Sequence, residues 1–188
     1  MHRVPVMTLL ALLLCTAAMA DSLTWTVPDG LTALNLTDTP DVAETLNTDP
    51  DTLAEDLRES GTVLLLTDAA GTLIQLTEGM AAVSGLDFDT MGRKKVNILA
   101  EQLAGNDRTA AVLQLRFENP LPSTTMHRCG WWILLAPTES AWPRTLTILT
   151  ACRGTELTMY ITAPTGEAEN DALEQAQLLA ASLILTQE

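Results

Sequence analysis

Apolar and polar positions change period several times along the chain, and each change marks an element. Leu23, Trp25 and Val27 alternate with Thr24 and Thr26, which is strand spacing. Pro28-Asp29-Gly30 is a turn signal, and Leu31–Leu36 is read as a returning strand. Asp38–Ser60 reads as helix, in one piece or two. Thr39 and Asp49 stand as caps before Pro40 and Pro50, Leu53 and Leu57 lie one turn apart, and Gly61 is the stop. Val63–Thr67 and Thr72–Thr77 flank Asp68-Ala69-Ala70-Gly71 as a hairpin. Thr90 is read as the cap of a helix through Ala104, with Val96, Leu99 and Leu103 on one face and Gly105-Asn106 ending it. Ala111–Phe117 is read as a strand stopped by Asn119-Pro120-Leu121-Pro122. A final helix is expected to start at Asn170 and to dock through Leu173, Ala176, Ala180 and Leu183.

The stretch Cys129–Ala163 reads as a three-stranded meander. Centring a hairpin on the loop between Trp131–Ala136 and Thr145–Thr150 pairs Trp131 with Thr150, Ile133 with Ile148 and Leu135 with Leu146. The Arg153-Gly154 turn then pairs Leu146 with Ile161, Ile148 with Met159 and Thr150 with Leu157. Together these registers gather Ile133, Leu135, Leu146, Ile148, Leu157, Met159 and Ile161 on one core face, a pattern that a one-residue slip would scatter. The predicted class is α+β, a largely antiparallel sheet with helices packed on it.

Residues 1–20 have the layout of a removable leader. Arg3 gives a basic start, Val4–Cys15 is apolar apart from Thr8, and Ala18-Met19-Ala20 precedes Asp21 with small residues at the positions a signal peptidase reads. The run is shorter than the ~20 residues a bilayer span needs, and Leu14 before Cys15 is too large for a lipobox. Cleavage after Ala20 would leave residues 21–188 as a single domain, secreted or periplasmic and without stable membrane insertion. Ten Lys and Arg stand against 24 Asp and Glu, a net charge of −14. Losing Arg3 with the leader makes the remainder more acidic still. A surface so negative repels phosphates and argues against nucleic-acid partners. The 47% apolar content separates the chain from disordered acidic tails.

Several segments together resemble a known group. TVPDG at Thr26–Gly30 follows a strand, DPDTLAEDLRESG fills Asp49–Gly61, LDFDTMGRKKVNILAEQL fills Leu86–Leu103, TILTACRGTELTMYI fills Thr147–Ile161, and an apolar helix runs through Leu173–Leu185. In this order the chain resembles uncharacterised secreted bacterial proteins related to the PsbP-like α/β/α sandwich. The resemblance implies a three-layer fold and offers no catalytic residue. Such proteins often carry an aromatic near the position of Thr147, whereas here the tyrosine is Tyr160, across the hairpin.

Candidate chemistry is sparse. With Cys15 in the leader, Cys129 and Cys152 remain, and the predicted register sets them opposite one another. Cross-strand neighbours lie ~4.5–5.5 Å apart at Cβ, which suits a disulfide in an exported protein. Two buried thiols are the alternative. A redox pair lacks the Cys-x-x-Cys spacing and a helix N-terminus to activate a thiol. His127, two residues before Cys129, raises a Cys–His dyad or a His/Cys/Cys zinc site, both of which a disulfide would exclude. Val83-Ser84-Gly85 lacks the nucleophile elbow. The pairs Asp38/Asp41, Asp49/Asp51 and Asp87/Asp89 lack the glycine and distal glutamate of a calcium loop, and helix capping accounts for most of them. Arg93-Lys94-Lys95 is the one basic cluster and reads as a solvated first turn, with an anion or partner contact as the functional alternative.

Trp132, Leu134 and Leu149 fall on the face opposite the predicted core. A face so apolar is either covered by a helix or open to a partner. No catalytic, cofactor or metal residue is assigned. The expectation is a non-enzymatic binding or accessory protein of the cell envelope, with an unknown protein or small molecule as its partner. The alternative is a small secreted enzyme using carboxylates or a Cys129/His127 thiol site.

Overall fold

The computed structural model describes residues 22–80, 88, 90–117, 125–138, 144–163 and 167–186. Its elements in chain order are β1 (Ser22–Thr24), β2 (Thr32–Ala33), α1 (Thr39–Leu46), α2 (Pro50–Ser60), β3 (Thr62–Thr67), β4 (Leu73–Met80) and α3 (Arg93–Ala104). They continue with β5 (Arg108–Gln114), β6 (Met126–His127), β7 (Trp131–Pro137), β8 (Arg144–Cys152), β9 (Thr155–Ala163), α4 (Glu167–Ser182) and β10 (Ile184–Thr186). The fold is α+β. Seven strands form an antiparallel sheet in the order β2-β3-β4-β9-β8-β7-β5, and β1-β10-β6 form a second, small antiparallel sheet.

Both faces of the large sheet carry helices. One face buries Leu64, Leu66, Ile74, Leu76, Trp132, Ile148, Leu157, Met159 and Ile161 against Ala172, Ala176, Leu179, Ala180 and Leu183 at the C-terminal end of the chain. On the other face α1 and α2 cover Leu65 and Leu73 at one side. There α3 covers Ile133, Leu135 and Ala151 at the other side through Val96, Ala100 and Ala104. The arrangement is therefore helix, sheet, helix, with apolar side chains supplied to both faces of the same strands.

That double burial explains the main departure from the predicted register. Pairing of β8 with β9 is as expected, with Leu146 opposite Ile161, Ile148 opposite Met159 and Thr150 opposite Leu157. Pairing of β7 with β8 is displaced by one residue: Ile133 faces Leu149, Leu134 faces Ile148 and Leu135 faces Thr147. Ile133 and Leu135 consequently lie on the opposite side of the sheet from Ile148, Met159 and Ile161, and the single predicted core face is overturned. Trp131–Ala136 is apolar at every position, so alternation carries no register information there; a strand buried on both faces tolerates either phase.

Other boundaries moved for local reasons. Asp38–Ser60 is two helices, and the first begins at Thr39 with Asp38 as its cap, because the Val42 amide donates to the Asp38 carbonyl at 3.2 Å. Asp49 caps α2 as expected, its carboxylate accepting from the Thr52 amide at 2.9 Å. The α3 helix starts at Arg93 behind Gly92 instead of at Thr90. Strand β5 covers Arg108–Gln114 instead of Ala111–Phe117, because it pairs residue for residue with β7 from Arg108–Pro137 to Gln114–Trp131. Asn170 lies inside α4, whose first residue is Glu167. The chain closes on a strand after that helix, because Ile184–Thr186 pairs with both β1 and β6.

The β3–β4 hairpin is held by Asp68. Its Oδ1 accepts from the amides of Ala70 at 2.9 Å and Thr72 at 2.8 Å. Partial burial raises the Asp68 pKa, but the hydrogen bonds from Thr72, Ala70 and Gly71 favour the charged form and outweigh it, so the carboxyl titrates below the ordinary aspartate range. A depressed native pKa contributes stability above the unfolded-state value of about 3.9, and that contribution is lost as pH falls through the native value. Asp68→Asn should therefore lose less stability than wild type between pH 7 and pH 3, read as the difference in urea midpoints; equal losses would exclude the carboxylate as a source of acid sensitivity.

Candidate functional site

The predicted cysteine corner assembles, with altered geometry. Cys152 ends β8, and Cys129 lies two residues before β7. Both are buried, at 1% and 6% exposure, and they form one small cluster with Leu185 of β10. They are not joined by a disulfide, and the shifted β7–β8 register removes the direct opposition predicted for them. The two cysteines line a small cavity of about 10 Å³ with Leu23, His127, Trp132 and Leu185. That space has room for roughly one water molecule, far too little for a substrate.

His127 sits on β6, paired with Leu185. Arg153 Nε donates to His127 Nδ1 at 3.4 Å. Among the described residues, no three His, Cys, Asp or Glu side chains converge as a metal site.

The predicted partner surface divides between two faces. Trp132 is 1% exposed and packs beneath α4 with Ile148, Met159 and Leu179, and Leu134 packs against the same cluster. The apolar face exists, but the C-terminal helix already covers it. Leu149 lies on the other face, next to Thr158 of β9. The acidic residues Asp38, Asp41, Asp49 and Asp51 stand at the starts of α1 and α2, where the helix dipole favours negative charge. Arg93, Lys94 and Lys95 form the exposed first turn of α3. The leader, Val83-Ser84-Gly85, and both Asp87 and Asp89 lie outside the described residues.

A feature without a sequence signal lies between the helices of that second face. Strand alternation places Gln75 on the same side as Leu73, and Thr147 and Leu149 on the same side as Ala151. The α1–α2 pair covers Leu73 and α3 covers Ala151, and the strand positions between them on this face belong to neither helix cluster. Register sets Gln75, Tyr160 and Thr147 abreast, with Thr77, Thr158 and Leu149 in the next row. Thr77 and Thr158 are buried, whereas Tyr160 is 40% exposed. Gln75 Nε2 donates to Thr62 Oγ1 at 2.6 Å, and Thr62 Oγ1 is 2.7 Å from Ser60 Oγ, so a chain of neutral polar groups runs from this face to the end of α2. The face offers hydroxyls, an amide and one phenol ring.

Comparison with solved structures finds the solution structure of cyanobacterial PsbP (CyanoP) from Synechocystis sp. PCC 6803, with a TM-score of 0.36 and 12% identity over 90% of this chain and 95% of that one. Likeness at that level transfers no residue and no activity. No protein-family profile matches the chain, and no curated protein matches it.

Proposed function

We propose that the chain is an exported, non-enzymatic binding or accessory protein of the cell envelope, and that it engages its partner through the sheet face between α2 and α3. The observation that carries this reading is the exposed Tyr160 set abreast of Gln75 and Thr147 on the sheet face that α1–α2 and α3 cover at either side. Aromatic and neutral polar groups held by regular structure give orientation and hydrogen bonding at low entropic cost. Leu149 remains part of this surface; Trp132 and Leu134 do not. Export rests on the leader-like pattern of residues 1–20, and it would place Cys129 and Cys152 in an oxidising compartment.

One experiment addresses both halves. The chain, carrying its leader and a C-terminal tag, is expressed in the producing cell, cross-linked in place and recovered from the envelope and the medium. Recovered protein should begin at Asp21, and a cross-linked species should disappear in Tyr160→Ala and Thr147→Arg while the circular dichroism of both variants stays native. Protein retained in the cytoplasm with Met1 intact would refute export. A cross-link indifferent to both substitutions would refute binding at that face.

A further inference from the structure

We propose that Cys129 and Cys152 are the two halves of a disulfide that ties the entry of β7 to the exit of β8, and that the closing strand β10 controls its formation. Three observations point to it. Both cysteines are buried, they belong to one cluster with Leu185, and they line the same water-sized cavity. Each sits at a strand end, Cys129 just before β7 and Cys152 as the last residue of β8. Cys152 is held by its pairing with Thr155 across the Arg153-Gly154 turn, so closing the bond falls to side-chain rotation and to the segment carrying Cys129 before β7.

The reaction is exchange with the disulfide of a thiol oxidoreductase or of oxidised glutathione. One cysteine, as thiolate, attacks the donor disulfide and forms a mixed disulfide, releasing one donor thiol. The other then attacks the protein sulfur of that mixed disulfide and expels the second donor thiol. The protein loses two electrons and two protons, and the donor gains both. Neither thiol is open to such a donor in the closed fold. Their cover includes Leu185, on a three-residue strand paired at three positions with β1 and at two with β6. A strand held by so few contacts is expected to lift without global unfolding, which would make it the gate for oxidation and for reduction. The bond would close a loop of roughly two dozen residues and constrain the unfolded chain.

The test uses purified full chain in glutathione buffers of graded ratio, so its outcome is independent of export. Samples are acid-quenched, alkylated under denaturing conditions and weighed intact. Both thiols should vanish together on a monomer about two daltons lighter, and Tm should rise by about 6–12 °C over the reduced protein. Cys129→Ser and Cys152→Ser should lack that rise. Two thiols remaining at every ratio, glutathione adducts without an internal bond, or disulfide-linked dimers would overturn the pairing. Leu185→Ala should speed oxidation several-fold. Should that variant fail to fold, alkylation of reduced wild type at urea concentrations below the unfolding midpoint reads the same opening. A rate that rises only with global unfolding would overturn the role of β10.

Discussion

Trp132→Ala should cost about 3–5 kcal/mol of folding stability, the range for removing a large aromatic from a closed core. The indole is 1% exposed and belongs to the core cluster that joins Ile148 and Met159 of the sheet to Ala176 and Leu179 of α4. Alanine leaves a void that neighbours from both layers would have to fill. Against a total stability of roughly 5–15 kcal/mol, the loss is a large fraction. Urea titration by far-UV circular dichroism measures it without relying on indole fluorescence. Trp132→Phe is the control: the ring bulk is mostly kept, and the buried Trp132 Nε1 has no hydrogen-bond partner among the described residues, so losing the N–H sacrifices no bond there. It should cost about 1–2 kcal/mol. A Trp132→Ala protein of wild-type stability would mean that packing beneath α4 contributes nothing at this position.

Gly61→Ala is the second large effect, at about 2–4 kcal/mol. Gly61 ends α2 with φ of 65°, the left-handed conformation that glycine adopts without steric cost. A Cβ there would lie 2.5 Å from the carbonyl oxygen of Glu78. Relief by moving away is blocked, because the Glu78 amide donates to the Gly61 carbonyl at 2.9 Å and the two chains are locked together. Gly71 supplies the comparison. Its φ is 89°, but among the described residues no heavy atom beyond its own chain neighbours lies within 4 Å of the position a Cβ would take. Gly71→Ala should therefore show backbone strain alone, about 1 kcal/mol. Equal urea midpoints for the two variants would mean that the close approach of β4 to the end of α2 contributes nothing.

These two sites show where local pattern was informative and where it was not. Gly61 was legible as a helix stop, because a glycine after an amphipathic run behind the Asp49-Pro50 start is a local statement about backbone conformation. The backbone of Glu78 pressed against it was not legible, since that contact depends on how β4 folds back. Trp132 failed for a different reason. Its strand is apolar throughout, so either phase would bury half of it, and the loop after Pro137 does not constrain the register strongly enough to choose. The β8–β9 hairpin succeeded because Arg153-Gly154 is a tight turn with little freedom; both residues adopt positive φ. A two-residue turn sets register within one step, whereas a longer loop does not.

The candidate sites divide along the same line. Cys129 and Cys152 share one buried cluster, although the sequence register that sets them directly opposite is off by one residue. In the sequence Tyr160 stands only as an aromatic displaced from an expected position. Its exposure depends on which strands α2 and α3 leave uncovered, and no spacing within β9 encodes that.

The chain by itself determined its helices and turns, the α+β class, the acidic surface and the leader-like N-terminal pattern, because each depends on composition or on residues within a few positions of one another. Tertiary structure decided the phase of β7, the burial of Trp132, the docking of the last three strand residues over the cysteines, and the exposure of Tyr160. Each of these depends on which of two apolar faces meets which helix. A strand that is hydrophobic on both sides leaves that choice to its neighbours.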